Sequence, residues 1–260
     1  PNRDIAEVSA TDQITAFTST GLTLGNGGDA NSLNKTYVAW NWKAGGADAL
    51  NQEGDIDSQV SANTDAGFSV VKYTGNGTNN ATVGHGLSQP PELLIGKNFD
   101  ENINWQVVSS LFSSDNDFLI LNTSSQKLNS SNVSFDPTST TFKVQGAQSL
   151  NINNKGIIAY CFHSVPGFSD IGSYIGTGTS GNSIVTGFAP AFVMFKNTTA
   201  SSTNNWIILD NKRSPSNQRK QVLEPNTSDI ETTETVNVNF LSNGFELTNG
   251  NSDVNDNGNT

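Results

Sequence analysis

The chain has 260 residues, only 14% of them charged, and a formal net charge of −11. A typical globular domain carries roughly 25% charge, and an acidic surface repels a phosphate backbone, so neither a helix-rich fold nor nucleic-acid binding is expected. One cysteine, Cys161, excludes an intrachain disulfide, and no apolar run reaches the roughly 18 residues of a membrane-spanning helix.

Gly, Asn, Ser and Thr fill the spaces between short apolar runs, as turns and strand ends require. In chain order the first recognisable piece is 21–43. Leu22, Leu24, Val38, Trp40 and Trp42 form its apolar pattern. Alternation in Val38-Ala39-Trp40-Asn41-Trp42 predicts a strand with Val38, Trp40 and Trp42 on one face. Residues 44–66 read as an acidic, Gly/Ala-rich connector with one strand, Ile56 to Val60.

From Gly67 the pattern becomes a repeat, the feature to seek first in any chain. Gly67-Phe68-Ser69 returns as Gly167-Phe168-Ser169, and Gly75-Asn76-Gly77-Thr78 as Gly176-Thr177-Gly178-Thr179. Lys97-Asn98 returns as Lys196-Asn197, and Trp105 as Trp206. The offset is 100 residues at the start and 101 at the Trp. Predicted strands follow at Phe68–Tyr73, Leu93–Ile95, Trp105–Val108, Phe118–Leu121, Phe142–Val144 and Ile158–Phe162.

Residues 141–163 match 21–43 without a gap. Leu22 falls on Phe142, Leu24 on Val144, Val38 on Ile158, Trp40 on Tyr160 and Trp42 on Phe162. On this matching Ile158, Tyr160 and Phe162 are expected to face the core. Residues 244–260 match the start of the same half-unit from Phe245.

Strands spaced this way between Gly/Asn/Pro turns predict an all-β chain of tandem β-sandwich or jelly-roll-like repeats of about 100 residues, with little or no helix. The expected divisions are 1–43 (the C-terminal half of a unit), 44–66 (connector), 67–165 (a complete unit) and 166–260 (a unit lacking its last strand). Pro1 and Thr260 are accordingly not expected to be natural termini. The five-residue apolar face of 21–43 needs a partner surface, with another chain or residues outside this sequence favoured. At the other end either an open core or a strand supplied from elsewhere is expected.

The strings YVAWNWKAGG (37–46), SQVSANTDAGFSVVKYTGNGTNNATVGHGL (58–87), AYCF (159–162) and GSYIGTG (172–178) resemble a repeated β domain of unknown function. That domain is common in predicted tail and other structural proteins of marine phages, often beside laminin-G or concanavalin-like modules. The resemblance covers nearly the whole chain and implies a virion or extracellular location. It implies other virion proteins and further copies of the same chain as partners, a trimer being favoured by analogy. It transfers no catalytic residue.

Chemistry-bearing residues are sparse. Asp253, Asn255 and Asn257 fit the first half of a calcium loop, but their repeat equivalents, taken as Asn151, Asn153 and Lys155, place a lysine in it; a turn is expected, with calcium the one conceivable cofactor. His85 and His163 have no metal-ligand spacing. Lys212, Arg213, Arg219 and Lys220 form one basic cluster, read as a solvated loop or a contact to the acidic stretch 48–57. Loops 99–104 and 198–205 differ between copies, so Asn102, Asn104, Asn204 and Asn205 are the candidate ligand contacts. Three functions follow for test: a fibre, spike or appendage subunit, which is favoured; a glycan-binding module recognising host surface sugar; and a depolymerase, for which Asp115 and Asp117 are the nearest approach to paired acids. No enzyme activity, membrane insertion or nucleic-acid partner is expected.

Overall fold

A computed structural model describes residues 3–146, 149–200, 204–233 and 236–260. The N-terminal segment carries a hairpin of β1 (Ile14–Thr18) and β2 (Gly21–Leu24) and one helical turn, α1 (Gly28–Asn31). Ten strands follow: β3 (Ala49–Asn51), β4 (Ser58–Asn63), β5 (Phe68–Thr74), β6 (Ala81–Gly84), β7 (Leu93–Asn98), β8 (Gln106–Ser109), β9 (Asp117–Ile120), β10 (Leu128–Asn129), β11 (Thr141–Val144) and β12 (Gly156–Phe162). The last stretch holds β13 (Asn182–Val185), β14 (Phe192–Phe195), β15 (Ile207–Asp210), β16 (Val238–Leu241), β17 (Gly244–Leu247) and a second helical turn, α2 (Ser252–Asn255). The chain is all-β, and among the described residues no helix is long and apolar enough to cross a membrane.

One antiparallel sheet dominates, in the order β10-β9-β8-β7-β12-β5-β4-β3. Its inner face presents Val71, Tyr73, Leu94, Val108, Ile157, Ala159 and Cys161, all buried. The small β6–β11 sheet closes over that face with Ala81, Val83, Phe142 and Val144 to make a sandwich core. Each large apolar side chain so buried contributes about 1.5–3 kcal/mol. Tyr73 keeps its hydroxyl satisfied inside the core by donating to the Leu150 carbonyl at 2.7 Å. Gly96 stands beneath Leu150, whose Cδ2 would lie 2.7 Å from a Cβ at that position.

The second unit rebuilds the same ladders. Val83 pairs with Phe142 in the first, and Ile184 with Phe245 in the second. Gly96 pairs with Gln106, and Phe195 with Ile207. Trp105 and Trp206 each donate their backbone N–H to an Asn side chain, Asn122 and Asn226, at 2.9 Å. The Tyr73 bond returns as Tyr174 to the Val254 carbonyl. Where the first unit fits Leu150 over a glycine, the second sets the smaller Val254 in the core with Phe195, so one large and one small side chain share the space in both.

One difference between the units lies beside β14. β7 pairs with β12 on one side and β8 on the other. Its counterpart β14 pairs only with β15 among the described residues. Residues 168–174, the counterpart of β5, form no strand. Phe68 is 5% exposed, and its counterpart Phe168 is 63% exposed.

Four expectations are corrected. Ile158, Tyr160 and Phe162 do not face the sandwich core; Ile157, Ala159 and Cys161 do, with no exposed surface. Phe142, Tyr73 and Leu94 already fill that space, so the residues opposite must be small at its centre. Residues 37–43 form no strand, and Trp42 is 52% exposed. The stretch 44–66 supplies two strands, β3 and β4, to the edge of the large sheet, and Ile56 bridges to Val83 rather than joining β4. The counterpart of Asn151 is Asn255, not Asp253. Asn151 Nδ2 donates to the Thr78 carbonyl at 2.8 Å and accepts from Asn76 N at 2.9 Å; Asn255 Nδ2 donates to Thr179 at 2.7 Å and accepts from Thr177 N at 2.9 Å.

Candidate functional site: a groove between the units

Because both faces of the large sheet are apolar, the second face also needs a cover. Val70, Leu93, Ile95, Val107, Leu119, Tyr160 and Phe162 line it. The outer side of the β14–β15 hairpin, with Phe192, Met194, Trp206 and Ile208, stands opposite. Contact is closed where Trp206 packs with Val107, Leu119 and Leu121. Its indole donates to the Ile120 carbonyl at 3.1 Å.

Beyond this contact the two surfaces diverge around a groove of about 1950 Å³. Residues 40–43 cross its mouth. Trp40 and Trp42 both pack edge-on against Phe192, with ring centroids at 6.0 and 5.8 Å, and Trp42 also reaches Phe162 at 6.4 Å. The Trp40 indole donates to Asp210 Oδ2 at 3.3 Å, and the Arg213 guanidinium lies 5.8 Å from its ring.

Lys196, Glu224 and Asp253 line the groove, and Asn204 and Asn205 join them in a polar cluster. Asn205 bridges two carboxylates: its backbone N donates to Asp253 Oδ1 at 2.9 Å and its Nδ2 to Glu224 Oε2 at 2.9 Å. Lys196 Nζ donates to the Asn204 carbonyl at 2.7 Å and to Ser124 of the first unit at 3.1 Å. Burial lowers the Lys196 ammonium to about 8, although Asp253 opposes the change. Burial raises both Asp253 and Glu224, and their mutual repulsion adds to the rise at Glu224; Asn205 opposes it at each. Counting from matched bonds, the first unit has Ile120 and Ser149 at these two acidic positions, so the charged cluster belongs to the second unit alone.

All four asparagines expected to contact a ligand are committed within the chain. Asn102 Oδ1 accepts from Ala6 N at 2.7 Å, and Asn104 Oδ1 accepts from Asn122 Nδ2 at 2.8 Å. Asn204 Nδ2 donates to the Ser252 carbonyl, and Asn205 Oδ1 accepts from Asn226 Nδ2 at 2.8 Å. The sequence did not bring Asp253 to Asn204 and Asn205; the fold does. In the calcium motif, Asn255 Oδ1 also accepts from Asn182 Nδ2 at 3.0 Å, so its oxygen serves the turn. No cluster of three or more His, Cys, Asp or Glu side chains able to hold a metal exists among the described residues.

The remaining candidates have structural partners. His85 Nδ1 accepts from Leu87 N at 3.0 Å, which leaves Nε2 to donate to the Thr138 carbonyl at 3.2 Å; burial lowers its affinity for a second proton. Burial pushes the Cys161 thiol up to about 12. Asp117 is paired with Lys127 at 2.7 Å. In the basic cluster Lys212 and Lys220 are exposed, as a solvated loop requires, while the two arginines are held within the second unit. Arg213 bonds Asp210 and Glu231, both at 2.7 Å, and Arg219 stacks on Phe240 at 5.1 Å. The groove itself was missed, although the alternating aromatics of 158–162 were its signal: an apolar row outside the core demands a second cover.

The matched ladders on the two sides of the apolar groove are those of an all-β, β-sandwich-like protein. The chain belongs to the family described as Domain of unknown function (DUF7483), whose model matches residues 1–260. No curated protein and no solved structure matches it.

Proposed function

We propose that this chain is a structural and receptor-binding component of a phage virion, such as a tail fibre, spike or appendage, exposed outside the cell. The observation that carries the reading is the double construction of one unit with matched strand registers. Stacked units of one plan extend a protein at little design cost, because each needs its own core and one neighbour contact. Here the neighbour contact is the Trp206 cluster. The low charge and Asn/Thr-rich turns suit an exposed appendage, and the resemblance of 37–46 and 58–87 to repeats in phage tail proteins agrees. The role is display and adhesion, with no reaction step.

Mass spectrometry and antibody-labelled electron microscopy of purified particles test this. The protein is expected on the particle at several copies; its presence only in the particle-free supernatant overturns the reading. A glycan-binding module is the second reading, supported by Trp42 and Phe168, exposed aromatics at the groove. Binding of host surface polysaccharide that is lost in Trp42→Ala supports it.

A further inference from the structure

We propose that Lys97 and Lys196 are one docking residue in two copies, through which each unit receives the main chain of a four-residue segment of the repeat before it, 4–7 and 124–127. The assignment follows from the repeat and is independent of the virion reading. The contact is made twice. Lys196 Nζ in the second unit donates to the Ser124 carbonyl at 3.1 Å, and Lys127 N donates back to the Thr198 carbonyl at 2.9 Å. Lys97 Nζ in the first unit donates to the Asp4 carbonyl at 3.1 Å, and Glu7 N donates back to the Phe99 carbonyl at 2.7 Å. Each lysine also holds its own loop, Lys97 at the Ile103 carbonyl and Lys196 at the Asn204 carbonyl, both at 2.7 Å.

Two different offsets separate this contact from a bond repeated inside each unit. The lysines stand 99 residues apart, as do Phe99 and Thr198. The segments 4–7 and 124–127 stand 120 residues apart, the offset that places Leu22 on Phe142. That matching runs back without a gap through Thr18-Ser19-Thr20 on Thr138-Ser139-Thr140 to Asp4 on Ser124. A bond that stays within a unit returns at nearly one offset, as Trp105 with Asn122 returns as Trp206 with Asn226. A contact whose two sides move by different amounts joins one repeat to the next.

The two occupants define what the site reads. Asp4-Ile5-Ala6-Glu7 and Ser124-Ser125-Gln126-Lys127 have no side chain in common, yet both present the carbonyl of the first residue and the N–H of the last. A further bond at the first site, from Ala6 N to Asn102 Oδ1 at 2.7 Å, again takes main chain. A lysine ammonium only donates, so it selects carbonyl oxygens, and its charge strengthens each bond. The partner is therefore defined by its backbone and its place in the repeat. Repeats of different sequence follow one another through the same contact.

Amide hydrogen exchange in the 260-residue chain tests this, since it reports local opening. Lys97→Met is expected to speed exchange at Ala6 and Glu7, and Lys196→Met at Lys127, by about tenfold or more, while the β5–β12 amides stay unchanged. The variant Asp4→Ser/Ile5→Ser/Ala6→Gln/Glu7→Lys writes the second occupant's side chains onto the first. Exchange at positions 6 and 7 is expected to stay within about threefold of the parent. Glu7→Pro leaves Lys97 in place and removes the donated N–H, so it is expected to release Ala6 even where a lysine variant fails to fold. Three results overturn the proposal: unchanged exchange at Ala6 in Glu7→Pro or in folded Lys97→Met, unchanged exchange at Lys127 in folded Lys196→Met, or protection lost in the four-residue variant.

Discussion

Trp206 in the second unit donates its indole N–H to the carbonyl of Ile120 in the first, and 6% of its surface is exposed. One side chain thus supplies the apolar plug and the polar tie between the units. Trp206→Phe keeps a ring but leaves the Ile120 carbonyl only its 3.4 Å bond from Thr123 N, and is expected to cost about 1 kcal/mol. Trp206→Ala opens a cavity and is expected to cost about 3–5 kcal/mol. Calorimetry checks both, and the alanine variant is expected to separate the melting of the two units.

Asn151 and Asn255 are buried amides that hold equivalent turns. Asn255 donates to the carbonyls of Thr179 and Asn249. Asn255→Asp keeps the shape, removes both donations and faces two carbonyls with a carboxylate. An expected loss of about 1–3 kcal/mol from removing the two donations is measurable by urea unfolding. Hydrogen exchange is expected to rise first at Thr177–Thr179 in this variant, and at Asn76–Thr78 in Asn151→Asp.

Asp117 carries an acid-sensitive share of stability. Burial raises its carboxyl, but hydrogen bonds from Asn129, Lys127 and Ser113, with the Lys127 charge, override this and hold it below its ordinary value. A carboxyl whose folded pKa is depressed contributes stability above its unfolded value of about 3.9, and that contribution fades as the pH falls through the folded value. Asp117→Asn is therefore expected to lower Tm at pH 7 and to converge on the parent as the pH falls through the depressed folded value of Asp117. Thermal melts across that range read the convergence.

Lys196 has linkage of the same sign in a more alkaline window. With its folded pKa lowered to about 8 and an unfolded value near 10.4, the unfolded state holds more protons between the two. Stability is expected to rise with pH through that window from this group. NMR of lysine side chains is expected to show one amine titrating near 8, and Lys196→Met removes that signal and flattens the rise.

Much of the plan could be read in the sequence, because a repeat exposes itself through residues that have no substitute. Gly67 and Gly167 have positive φ, at +63° and +78°, and a match between such positions is seldom accidental. The face of β12 was misread for a physical reason. Ile157-Ile158-Ala159-Tyr160-Cys161-Phe162 is apolar on both sides, so period-two alternation cannot rank the sides, and size decides instead: the aromatics fit the roomier groove. The asparagine loops are ambiguous in the sequence because an amide donates and accepts equally well, which suits a turn as much as a ligand. No local pattern could show the polar cluster, since Lys196, Asn205, Glu224 and Asp253 come together only when three separated loops fold.

The first unit begins and ends at one corner, where His163 N donates to the Gly67 carbonyl at 2.9 Å beside the Phe68–Phe162 pair. A pull applied between residues 67 and 163 loads those antiparallel strands from their shared end. Their cross-strand bonds then break one after another, as a zipper does, rather than together in shear. The unit thus hangs from the chain like a pendant. Stretching force meets the corner bond first, and the large sheet resists it one rung at a time.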